Sequence, residues 1–96
     1  QLDDVLAGKS VLVNGGLVAE KLVTGQADLA IHQISETLAV SGADLVGPLP
    51  ESIQNYTRYA GALGMHSTRA DVGRQFLAAL SSPLALQVMA RKGLER

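Results

Sequence analysis

The segment from Ser10 to Glu36, SVLVNGGLVAEKLVTGQADLAIHQISE, constrains the fold more than any other part of the chain. Val11, Leu12 and Val13 form an unbroken apolar run, which suits a strand covered on both faces, as in a parallel sheet. Asn14, Gly15 and Gly16 then make a turn. Ala19, Glu20, Lys21 and Leu22 are good helix formers, Val18 and Leu22 share a face, and Gly25 supplies a stop. Ala27 to Ile34 reads as a second strand. An Asn-Gly pair between two apolar runs is also the signal of a tight β-hairpin, so a hairpin and a strand-helix-strand unit both stand at this point. In the second reading, a helix N-terminus lies beside strand ends. The first N–H groups of a helix lack intrahelical acceptors and carry the positive end of the dipole, so Asn14, Gly15 and Gly16 would turn them toward an anion.

The rest of the chain reads as scaffold. Leu2 to Leu6 is the tail of a helix closed by Gly8 in the usual C-terminal glycine position. The stretch from Thr37 to Pro50 reads as loop and strand, with Gly42, Gly47, Pro48 and Pro50 as punctuation around the apolar ladder Ala43 to Val46, and Pro-Leu-Pro cannot lie in a central strand. Asn55 to Leu63, with Tyr56, Thr57 and Tyr59, reads as a strand ended by Gly64. Two helices follow. Thr68 and Asp71 have the spacing of a capping box, and Val72, Phe76, Ala79 and Leu80 build one apolar face. Ser82 caps the second helix, Pro83 occupies its first position, and Arg91, Lys92 and Gly93 suit its C-terminus.

Ninety-six residues allow one domain. The formal net charge of −1, without a lysine or arginine cluster, lacks the footprint of a nucleic-acid binder. The absence of cysteine removes disulfides, thiolate metal sites and cysteine nucleophiles. No apolar run reaches the roughly 20 residues of a spanning helix, and QLDDVLAGKS has no export-signal pattern.

Few residues bear chemistry. His32 and His66 stand alone without acids or cysteines at a ligand spacing, so no metal or cofactor is expected. Ser10, Ser35, Ser41 and Ser67 lack a nucleophile-elbow context, and no catalytic machinery is visible. The chain is therefore read as a non-enzyme. His32, Gln33 and Ser35, at the end of the second strand, are neutral hydrogen-bonding groups that would line the crevice beside the glycine turn. Backbone amides, an amide side chain and a hydroxyl suit a small desolvated anion held by dipoles. Open α/β sheets bind ligands at strand carboxyl ends.

Three stretches carry a family resemblance: GGLVAEKLVTGQADLAIHQISE, ADLVGPLPESIQNYTRYAG and RADVGRQFLAALSSPLALQVMARKGL. They resemble the C-terminal portion of periplasmic solute-binding proteins of the molybdate-binding type. The resemblance covers nearly the whole chain. It implies a fragment of an α/β, type II periplasmic-binding architecture: a strand-helix-strand unit, a crossover strand and a C-terminal helical hairpin. Residues 1–44 would close a second lobe, 45–64 would cross the hinge, and 65–96 would be terminal helices of the first lobe. It further implies capture of a small, molybdate-like oxyanion for the membrane subunit of an ABC importer, in the periplasm. Alignment on Gly25-Gln26-Ala27 gives Gly15 a backbone-amide ligand role and puts Gln33 where the family has a tyrosine hydroxyl. With one lobe's contacts alone, binding by this chain is expected to be weak.

Two other readings stand beside this one. The same architecture serves as the ligand-sensing domain of regulators. Alternatively, the chain is a self-associating module, because its final helices have an apolar face without a cover; copies exchanging elements would make a homo-oligomer.

Overall fold

A computed structural model describes residues 1–95. Its elements are five helices: α1 (Leu2–Ala7), α2 (Glu20–Val23), α3 (Ile34–Thr37), α4 (Ala70–Ala79) and α5 (Pro83–Arg91). Among the described residues there is no strand. This corrects the expected α/β architecture. The predicted strands, 10–13, 27–34, 43–46 and 55–63, are irregular, and the last residue of the second, Ile34, instead opens α3. A strand exists only through a ladder to a neighbour about 4.8 Å away, and β-prone residues do not substitute for that neighbour. Several of their apolar side chains are uncovered as well: Val11 is 84% exposed, Leu12 87% and Leu29 75%.

The chain divides into two compact units, Gln1–Ala43 and a second beginning at Asp44. In the first unit, Asp3 and Asp4 lie in the opening turn of α1, where the helix dipole favours acids. Gly8 closes α1 in the right-handed region (φ −72°), so the glycine there ends the helix without the left-handed turn its type permits. The Leu6 carbonyl accepts from the Lys9 N–H at 3.0 Å and from Ser10 Oγ at 2.7 Å. These bonds tie residues 9 and 10 to the end of α1.

α2 ends as Gly25 predicts. Gly25 has φ +71°, its N–H donates to the Leu22 carbonyl at 3.1 Å, and Gln26 N–H donates to the Lys21 carbonyl at 2.8 Å. This bond pair is a complete Schellman motif. Ala19, just before α2, is the one buried apolar residue among those described.

In the second unit, α4 begins after Arg69 with no side-chain cap, so the Thr68–Asp71 capping box does not form; Ser67 Oγ instead accepts from the Arg69 N–H at 3.3 Å. The predicted apolar face of α4 is also on the wrong side. Val72 is 42% exposed, Phe76 63% and Leu80 39%, whereas Ala70, Gly73 and Leu77 are half-buried. The cover is the irregular segment before α4. A Cβ built on Gly61 would stand 2.5 Å from Leu77 Cδ2, and one on Gly73 would collide with Leu63 Cδ2. Each leucine therefore sits over the other element's glycine. Residues 61 and 63 alternate with 73 and 77, and both glycines are there for close approach.

α5 follows its sequence signals. Ser82 Oγ accepts from the Ala85 N–H at 3.2 Å and Pro83 is the first helical residue. At the far end, Gly93 has φ +81°, with Gly93 N–H to the Ala90 carbonyl at 3.1 Å and Leu94 N–H to the Met89 carbonyl at 2.9 Å. No helix among the described residues is long and apolar enough to cross a membrane.

Candidate functional site

The end of α1 and the Schellman turn of α2 shape an open cleft of about 670 Å³ within the first unit. Its polar lining is Lys9, Ser10, Lys21, Gln26 and Asp28; apolar walls include Val13, Val18 and Ile31. Local hydrogen bonds hold four of these polar residues. Lys9 and Ser10 are held at the Leu6 carbonyl. Lys21 and Gln26 are the two residues that a Schellman motif brings together, and Lys21 Nζ donates to Gln26 Oε1 at 2.8 Å. Two ammonium groups and one carboxylate leave the lining with an excess of positive charge.

None of the six residues nominated from sequence lines this cleft. Gly15 and Gly16 form a bend, Gly16 with φ +78°, but the first residue of α2 is Glu20, four residues further on. The N–H groups of Glu20, Lys21 and Leu22 donate to the carbonyls of Leu17, Val18 and Ala19 at 3.0 to 3.1 Å. The opening amides of this helix are thus spent on its own first turn, and Asn14, Gly15 and Gly16 do not present them.

His32, Gln33 and Ser35 belong to the start of α3 rather than to a strand end. His32 Nδ1 pairs with Glu36 Oε2 one helical turn on. Gln33 is the N-cap residue; its carbonyl accepts from the Thr37 N–H at 3.0 Å and from Thr37 Oγ1 at 3.1 Å. Ser35 is half-buried within α3. Asn14 and His32 each follow a cleft-lining residue, Val13 and Ile31, by a single peptide bond.

Sequence reasoning missed the two lysines because they are isolated in the chain. A signal was present for one of them. A glycine stop after a helix predicts that the residues four before and one after it meet, which here are Lys21 and Gln26. No such rule announces Lys9.

The profile of the bacterial extracellular solute-binding proteins matches residues 1–95. The chain belongs to that family. The family's extracellular description agrees with the solute-binding and transport-related reading of the sequence. A curated relative, the aconitate isomerase of a Pseudomonas species, is 33% identical over 95 residues, 99% of this chain and 36% of the relative. The chain thus spans about a third of that relative's length. No solved structure matches it significantly.

Proposed function

We propose that this solute-binding chain takes part in capturing a small oxyanion in the periplasm and in delivering it to the membrane subunit of an ABC importer. The cleft of Lys9 and Lys21 carries the reading. Two compact ammonium charges, in one lining with the Ser10 hydroxyl and the Gln26 amide, suit a solute with separated carboxylates. A molybdate-like ion held only by neutral dipoles, as the sequence resemblance implies, makes no use of the lysines. The relative named for aconitate, a carboxylate compound, favours the same solute class. Asn14, Gly15, Gly16, His32, Gln33 and Ser35 are assigned the outer contacts, since two of them adjoin the lining along the chain. No bond is made or broken in this reading.

The test is a thermal melt of the chain with aconitate, citrate, molybdate, sulfate or phosphate at millimolar concentration. A ligand at 100 times its Kd adds about 2.7 kcal/mol to the folded state. Aconitate or citrate is expected to raise the midpoint most, and Lys21→Gln to remove the effect. A response to molybdate alone would restore the tetrahedral oxyanion; no response to any anion would refute the cleft as a binding site.

The relative's name supports a second reading, in which the protein is an isomerase. Proton NMR of aconitate incubated with the chain decides between them. Interconversion of its isomers would establish the isomerase, and an unchanged spectrum would retire it for this chain.

A further inference from the structure

The polar groups of the cleft divide into donors and acceptors, and the bonds they already make decide the division. Lys21 Nζ donates to Gln26 Oε1 at 2.8 Å. That bond occupies the acceptor end of the Gln26 amide and leaves its NH2 to donate, while the ammonium keeps two of its three N–H groups. The two residues therefore hold unused donors side by side, which the two oxygens of one carboxylate can accept together. Lys9 is tied down through its backbone N–H, and its ammonium has no partner among the described residues, so it offers all three donors.

Ser10 and Asp28 stand on the other side of the division. Ser10 Oγ donates its only proton to the Leu6 carbonyl at 2.7 Å, so it meets a solute as an acceptor. The ionised Asp28 carboxylate is an acceptor only, and among the described residues it has no hydrogen-bond or ion-pair partner. A solute with carboxylates alone would engage the lysines and Gln26 and leave both acceptors without a donor. Its own negative charge would then stand near that of Asp28.

We infer, resting on the reading of this cleft as the solute site, that the solute is a hydroxy-polycarboxylate and that Asp28 determines this specificity. The solute's carboxylates accept from Lys9, Lys21 and Gln26, and its hydroxyl donates to Asp28. A hydrogen bond to an ionised acceptor is about twice as strong as a neutral one, which gives Asp28 the larger part over Ser10. The donor is a hydroxyl rather than an ammonium. Two ammonium groups against one carboxylate leave the lining positive, which opposes a cationic substituent on the solute.

Isothermal titration calorimetry of the full chain with two matched pairs tests this: citrate against propane-1,2,3-tricarboxylate, and malate against succinate. Within each pair only the hydroxyl differs. The hydroxy acid is expected to bind at least about tenfold more tightly, the ratio that a hydrogen bond to a charged group supplies. Asp28→Asn is expected to erase most of that ratio and to tighten the binding of propane-1,2,3-tricarboxylate, a gain that structural damage would not produce. Asp28 is exposed, so the far-UV helix signal should be kept, and the wild-type ratios stand even where the variant misfolds. Equal affinities within each pair, or a preference unchanged by Asp28→Asn, would overturn the inference while leaving the cleft a carboxylate site. Aspartate binding more tightly than malate would overturn it too, in favour of an ammonium donor. Binding by none of these compounds would refute the cleft as the site, and the inference with it.

Discussion

Replacing Gly73 by alanine sets two effects of similar size against each other. Within α4, alanine is favoured over glycine by about 0.8 to 1.0 kcal/mol, because it loses less backbone freedom on folding. The new methyl would occupy the space of Leu63 Cδ2, so Leu63 must leave its rotamer or swing into water. An off-rotamer torsion costs about 0.5 to 1.5 kcal/mol. Full loss of a leucine's burial costs about 1.5 to 3 kcal/mol, and Leu63, already 36% exposed, would lose part of that. In the wild-type background the substitution is expected to be neutral to destabilising by about 1 kcal/mol, the helix gain being offset or outweighed. In a Leu63→Ala background the obstacle is gone, and the same substitution should stabilise by the full helix term, about 1 kcal/mol. The cycle therefore carries a coupling of about 1 to 2 kcal/mol between positions 63 and 73. Urea unfolding followed by far-UV circular dichroism, at one protein concentration, measures all four corners. Additivity within about 0.3 kcal/mol would show that Leu63 does not lie on Gly73 and would refute the packing of this segment on α4.

Two more perturbations probe local features. Gly25→Ala meets no neighbouring atom within 4 Å, so its whole cost is that of holding alanine at φ +71°, about 1 to 2 kcal/mol in the same unfolding assay, with Gly25→Asn losing less. Tyr56 ionises above its ordinary value of 10.0, chiefly through the charge of Glu51, then desolvation, the charge of Glu95 and a hydrogen bond to Glu51. Its phenol absorbance should thus titrate late, and Glu51→Gln should bring the midpoint back toward 10. Because the folded-state value is the raised one, the linked stability is present below the ordinary phenol pKa and is lost as pH rises through the folded value. The wild type should therefore lose stability more steeply than Glu51→Gln above about pH 10.

Much of the local chemistry of this chain is legible residue by residue, the Thr68–Asp71 capping box, which does not form, being the exception. Ser82 followed by Pro83 favours a helix start, because the hydroxyl and the fixed proline φ act on the next turn alone. Gly25 and Gly93 end theirs for the same reason: a left-handed residue is needed there and glycine adopts it at no steric cost. Family membership is legible too, since the motifs at Thr24–Leu29, Val46–Pro50 and the chain's end are read directly.

The sheet is not legible, because a strand is a relation between two segments. Val11–Val13 and Asn55–Leu63 have the composition of strands and acquire no ladder. The covered side of α4 was misread for a related reason. Val72, Phe76 and Leu80 are its most apolar stripe, but burial follows the approach of Gly61 and Leu63, and close approach selects Gly73 over larger side chains. The cleft repeats the lesson. Lys9 and Lys21 are twelve residues apart, and only the tertiary structure places both in one lining. The caps at Ser82, Gly25 and Gly93 were determined by the sequence itself, because they act within one turn of helix, while what depends on which surfaces meet was decided by the tertiary structure.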